Sequence, residues 1–273
     1  MDHSVGSALR RASAQGRAAL IGYLPAGYPT VADSAAAMRA MALGGCDIIE
    51  VGLPYSDPTM DGPTIQQAAD LALRGGVRTR DVLRVVAEVA ETGAPTLVMS
   101  YWNPIERYGV DALAADLAAA GGAGLITPDL VPDEAEPWLT ASDKHELDRV
   151  FLVAPSSTDE RLAYTTAHCR GFVYAASLMG VTGARAAVGA GAAELVRRTR
   201  QVSDVPVCVG LGVSTGAQAA EVASFADGVI VGSAFVRRML DAPTPQDGVR
   251  AVGELAAELA DGVRAGRPAA EPA

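Results

Sequence analysis

A single lysine, Lys144, serves a chain of 273 residues, and histidine and cysteine number three each. Lys144 lies in the polar stretch Ser142-Asp143-Lys144-His145-Glu146, so the strand-borne amine that a Schiff-base enzyme needs is missing. His3, His145 and His168 fall outside the apolar runs, and no metal site is expected. Cys46, Cys169 and Cys208 show no C-x-x-C spacing and read as reduced thiols of a cytoplasmic protein. No run approaches the ~20 apolar residues of a membrane span. The segment from Met1 to Leu20 carries Arg10, Arg11 and Arg17 and lacks the unbroken apolar stretch of a signal peptide. Positive charge is scarce too: the net charge of −10 argues against nucleic acid or an anionic membrane as partner. No G-x-G-x-x-G fingerprint follows the first apolar run, which excludes the usual dinucleotide site.

What is present is an alternation. With 49% hydrophobic and 20% charged residues the composition is that of a compact globular protein, long enough for one large core or two small ones. Short β-branched apolar runs occur at 19–24, 47–53, 95–101, 124–128, 149–154, 172–177, 205–211 and 228–232. Ala-rich amphipathic stretches such as 31–43, 110–120 and 192–202 separate them, and Gly44-Gly45 and Gly121-Gly122 stand where helices end. The runs are continuous rather than alternating, as in strands covered on both faces. Eight strand–helix units match an α/β fold of the (β/α)8 TIM-barrel type, typically ~250 residues. An open doubly wound sheet with a strand-order reversal fits the same alternation and remains the alternative. No linker interrupts the pattern, so residues 1–264 are expected to form one domain. A short extra helix over 3–15 would precede the first strand, and a Pro/Ala-rich disordered tail would cover 265–273.

One carboxylate is out of place. Glu50 sits inside the apolar run Asp47-Ile48-Ile49-Glu50-Val51-Gly52-Leu53, and an isolated ionised carboxylate is costly to bury. Strand periodicity puts Ile48, Glu50 and Gly52 on one face. The larger aliphatics suit the helix-facing side, so Glu50 is expected to point into the barrel near its catalytic end, with a raised pKa. A structural ion pair with an inward arginine is the competing reading, although the strands supply almost no such arginine. Asp61 follows eleven residues later, past a turn-rich stretch, and two carboxylates at one strand-end loop are raw material for acid–base chemistry. On the sixth run, Phe172, Tyr174 and Ala176 share a face. Tyr174 is either a core tyrosine or a polar group of the site.

Glycine-rich strand ends give a second signal. Gly210-Leu211-Gly212-Val213-Ser214 and Gly232-Ser233-Ala234-Phe235 each lead into a helical stretch, and Gly180-Val181-Thr182-Gly183 follows the sixth run. In barrels, the loops after strands seven and eight commonly bind phosphate through backbone N–H groups and a helix N-terminus. With lysine and metal excluded, proton transfer on a phosphorylated substrate remains.

At these residues a resemblance becomes plain. The segments from Glu50 to Gln66, Tyr101-Trp102-Asn103-Pro104, Gly180 to Arg185 and Gly210 to Ser214 resemble, in order, the tryptophan synthase alpha chain family. That resemblance implies cleavage of indole-3-glycerol phosphate to indole and glyceraldehyde 3-phosphate. It also implies transfer of indole to a beta chain that carries pyridoxal phosphate, in an alpha2-beta2 heterotetramer; no cofactor is expected in this chain itself. Carried over by motif, Glu50 is the acid–base group at indole C3 and the side-chain hydroxyl, and Asp61 accepts the ring N–H. Tyr174 supports the glutamate region, and Gly183, Gly212, Gly232 and Ser233 bind phosphate. Tyr23, Ile65, Met99, Tyr101, Ile126 and Leu211 line the indole pocket, and Thr182 belongs to a loop reaching Asp61 on closure. Pro54, Asp57, Asn103 and Pro104 fall on the face where the family docks its beta chain; as Pro, Asp and Asn they are also ordinary turn residues. Leu211 stands where the family commonly has an aromatic residue, and Met99 and Ile126 where it commonly has leucine. Two rivals are a different phosphosugar barrel, such as a phosphoribosylanthranilate isomerase, and a non-catalytic activating subunit. The paired carboxylates argue against both.

Overall fold

The structure, a computed structural model, describes residues 4–176 and 185–266, with the backbone alone for 185–188. Among the described residues nine strands form one sheet: β1 (Ala19–Pro25), β2 (Ile48–Gly52), β3 (Thr96–Met99), β4 (Gly124–Ile126), β5 (Asp148–Val150), β6 (Leu152–Val153), β7 (Val173–Ala176), β8 (Val207–Gly210) and β9 (Gly228–Val231). All pairings between these strands are parallel, in the order β5-β4-β3-β2-β1-β9-β8-β7-β6. The two ends of that order are consecutive in the chain, so the sheet returns on itself as a barrel rather than an open doubly wound sheet.

One expectation needs correction. The fifth apolar run is two short strands rather than one, interrupted at Phe151. Its first half pairs with β4 and its second with β7, while the Phe151 carbonyl accepts a hydrogen bond from the Tyr174 amide at 3.0 Å. The barrel seam therefore runs through a strand that serves each neighbour with a different half.

Side-chain parity builds two layers. Ile21, Ile48, Leu97, Ile126, Val150, Phe172, Cys208 and Ile230 fill the interior, whereas Leu20, Ile49, Val51, Val98, Leu125, Val209 and Val231 pack under the helices. This is the alternation of a closed sheet filled by side chains. The helix Val5–Ala14 joins the inner layer, not the outer one. Its Val5, Ala8, Leu9 and Ala12, spaced as one helical face, plug the N-terminal end of the barrel, and the Val5 amide donates to the buried Asp148 carboxylate at 3.1 Å. The helices Val31–Leu43 and Val110–Ala119 are followed by Gly45 and Gly121 at φ 116° and 77°, a conformation in which glycine is favoured. The last helix, Pro245–Ala265, extends through Ala265 and is capped at Gly266; the sequence boundary at 264 thus falls inside its final turn, and 267–273 lie outside the described residues. No helix among them is long and apolar enough to cross a membrane.

Candidate active site

Two carboxylates, one just before β2 and one at its centre, lie in contrasting surroundings. Asp47, just before the strand, accepts from both Arg17 guanidinium nitrogens at 2.6 and 2.7 Å and from the Leu20 amide at 2.9 Å. Glu50 is fully buried, and neither carboxylate oxygen has a hydrogen-bond partner among the described residues. Strand parity points it inward with Ile48, and in register it stands beside Tyr23 on β1 and Leu97 on β3. Desolvation with no compensating donor pushes its pKa up to about 8. The competing reading, an internal ion pair, finds no guanidinium at Glu50 among the described residues.

Glu50 opens onto a cavity of about 340 Å³ at the C-terminal end of the barrel. Tyr23, Ile65, Met99, Tyr174, Leu211, Gly212, Gly232 and Ser233 share its walls with Glu50 and Asp61. Sequence reasoning missed Met60, Gly62, Leu152, Ala176, Gly210 and Ile230, which complete the lining. Of these, Leu152, Ala176 and Ile230 were findable as inward-parity residues. Ile126 is elsewhere: it is fully buried in the inner layer and does not reach the cavity. Thr182 and Gly183 lie outside the described residues.

Asp61 is positioned by the loop after β2. The Gln66 side-chain amide donates to the Asp61 carbonyl at 2.7 Å, and Gly62 caps the helix Pro63–Arg74 directly behind it. Tyr101 is not a cavity wall. Its phenol oxygen accepts from the Met60 amide at 2.9 Å, and its hydrogen bond to the Asp61 carboxyl partly offsets the upward pKa shift that burial imposes there. A residue expected to touch the ligand therefore holds the loop that presents Asp61. Tyr23, 8% exposed, and the half-buried Tyr174 both line the cavity, and the pKa of each phenol is raised first by burial and then by the nearby carboxylates. Both remain neutral donors across the physiological range.

The glycine ends meet the same cavity. Gly212 takes φ 68°, and Gly232 precedes Ser233, the first residue of the helix Ser233–Leu240. No arginine or lysine is among the described lining residues, so an anion here would be held by backbone N–H groups and the helix terminus. Among the described residues no cluster of His, Cys, Asp and Glu is arranged to hold a metal.

The residues expected at a partner face gather outside the barrel mouth. Pro54, Asn103 and Pro104 line a surface groove of about 430 Å³ with Tyr55; the Asn103 side-chain amide donates to the Tyr55 hydroxyl at 3.1 Å. Asp57 lies beside the groove and accepts from the Ser56 hydroxyl at 2.5 Å. The Tyr55 ring stands 5.2 Å from that of Tyr101, so groove and Asp61 loop are in contact through two aromatic residues.

Comparison with known proteins matches this arrangement to one family. The family model described as tryptophan synthase alpha chain matches residues 9–264. The tryptophan synthase alpha chain of Thermobifida fusca is 68% identical over 260 residues, covering 94% of this chain and 96% of that one. That of Salinispora tropica is 63% identical over 264 residues, covering 97% and 99%. Among solved structures, Mycobacterium tuberculosis tryptophan synthase superposes with a TM-score of 0.88 at 59% identity, covering 96% of this chain and 99% of that one. The Legionella pneumophila alpha subunit gives 0.87 at 32% identity, covering 95% and 97%. A closed barrel with an unpaired interior glutamate, matched along nearly its whole length, belongs to the tryptophan synthase alpha chain family.

Proposed function

We propose that this chain cleaves indole-3-glycerol phosphate to indole and glyceraldehyde 3-phosphate, the alpha half-reaction of L-tryptophan biosynthesis, with Glu50 and Asp61 as its catalytic pair. The observation that carries the assignment of roles is the Glu50 carboxyl, buried, without a partner among the described residues, and open to the cavity. Such a group is protonated near neutral pH and has no internal bond to break before it reacts.

The chemistry closes on these two side chains. Protonated Glu50 delivers its proton to indole C3, and the ring becomes an indoleninium cation whose N–H faces the Asp61 carboxylate. Glu50, now ionised, takes the proton from the hydroxyl on the carbon attached to C3. The O–H electron pair becomes the carbonyl of glyceraldehyde 3-phosphate, the carbon–carbon bond breaks, and its electrons restore the indole ring. Glu50 ends protonated, as it began. The iminium formed in the substrate is the electron sink, so neither lysine nor metal is required. Positioned proton transfer of this kind contributes typically ~10²–10⁴-fold. Fixing the phosphate at Gly212, Gly232 and Ser233, together with Gly183 by family motif, supplies orientation, and by the same motif Thr182 serves Asp61.

The groove at Pro54, Asp57, Asn103 and Pro104 is the docking face of a beta chain carrying pyridoxal phosphate, in an alpha2-beta2 complex located in the cytoplasm. Its support is family membership together with the Tyr55–Tyr101 contact that links the groove to the Asp61 loop. An indole-release assay on indole-3-glycerol phosphate tests both statements. Indole should appear slowly with the isolated chain and faster when a beta chain is added. No indole in either condition contradicts the activity, and an unchanged rate contradicts the docking face.

A further inference from the structure

Gly52 ends β2 two residues beyond Glu50, on the same inward face, and its backbone lies outside the left-handed region. Nothing in its own conformation therefore asks for glycine. The requirement comes from β1. A Cβ built at Gly52 would stand 2.7 Å from Cε2 and Cζ of Tyr23, with the phenol oxygen closer still, well inside the ~3.5 Å at which carbon atoms settle. On the other side of β1, a Cβ at Gly232 would meet Cδ1 of the same ring at 3.2 Å. The Tyr23 ring thus occupies a slot between two strand ends, β2 and β9, where both neighbours lack a side chain. It is 8% exposed, and that exposed part faces the cavity.

We propose that Gly52 is a specificity-determining residue that acts through Tyr23: it leaves the slot that keeps the Tyr23 ring flat against the barrel wall and the ligand space clear. This inference rests on the lyase reading above and deepens it. A methyl group at position 52 drives the ring away from β2, over Gly232 or into the cavity. The first direction covers the residue assigned to the phosphate, and the second fills the space in front of Glu50. Either displacement acts on a ligand that spans both ends of the site, so an indole joined to a phosphate by a three-carbon chain is affected more than free indole.

A double-mutant cycle in indole release tests this, using wild type, Gly52→Ala, Tyr23→Leu and the double variant, each with its thermal unfolding midpoint. Gly52→Ala should lower kcat/KM by about tenfold or more in the wild-type background, since overpacked sites are forced to shift, and by less than about twofold once Tyr23 is leucine. If Gly52→Ala fails to fold alone, Tyr23→Leu should restore folding. An equal cost of Gly52→Ala in both backgrounds, a cost under twofold in the wild type, or misfolding that Tyr23→Leu does not relieve overturns the slot while leaving the lyase reading intact. A wild-type chain that releases no indole overturns that reading and the inference with it.

Discussion

Asp47 and Glu50 are three residues apart and meet opposite fates, and the difference has a measurable consequence. Asp47 is neutralised by Arg17 at the closed end of the barrel, whereas Glu50 is left in an apolar interior and holds its proton to about pH 8. An unfolded glutamate ionises near 4.5. Below that pH both states carry the proton; between 4.5 and 8 only the folded state does, so stability falls as pH rises through this window and levels off above it. Glu50→Gln removes the titration. The variant's advantage over wild type in urea unfolding should grow between pH 4.5 and 8 by up to about 5 kcal/mol, the full linkage for a shift of that size. A difference that stays constant across this range would show that Glu50 is ionised in the folded protein. The inward direction of Glu50 was legible in strand parity, because a period of two leaves only two faces. The role of Tyr101 was not. Alternation says nothing about a phenol reaching back to the Met60 amide in a different loop.

Elements divide the labour along the barrel axis. The helix Val5–Ala14 closes one end with an apolar face that continues the inner layer, and β2 and β8, which end in glycine, and β9, which is followed by Gly232, open the other. Leu9 is 5% exposed and lies at the plugged end, away from the cavity. Leu9→Ala should therefore cost about 3 kcal/mol in chemical denaturation, as buried leucines do, and leave kcat/KM for indole release unchanged. A drop in kcat/KM without a loss of stability would mean that the plug helix acts on the site. Most elements were readable from apolar periodicity, and the glycine stops marked helix ends. The break at Phe151 was not readable: it arises because one short segment pairs with β4 and β7 in turn, a consequence of closure rather than of local sequence. The same holds for Ile126. Its inward parity was evident, but whether an inward residue lies at cavity height or beneath it depends on how the strands stagger around the barrel, and Leu152 and Ile230 reach the cavity where Ile126 does not.

For the whole molecule, a filled parallel barrel provides an apolar interior with a cavity at its C-terminal end, and the reaction is assigned to the boundary between them. Its walls hold Glu50 without a counter-ion among the described residues, the loop after β2 brings Asp61 to the same space, and the strand ends β8 and β9 supply backbone groups for the anionic end of the ligand. The burial that destabilises ionised Glu50 also keeps its proton available, which is the central claim. Single-turnover cleavage of indole-3-glycerol phosphate, followed as indole release from pH 5 to about 10, tests it most directly. Wild type should lose rate as pH rises through about 8, and Glu50→Gln should fall by ~10² or more at every pH with the fold unchanged. A Glu50→Gln chain that releases indole at near wild-type rate, or a wild-type rate that does not fall above pH 8, would contradict it.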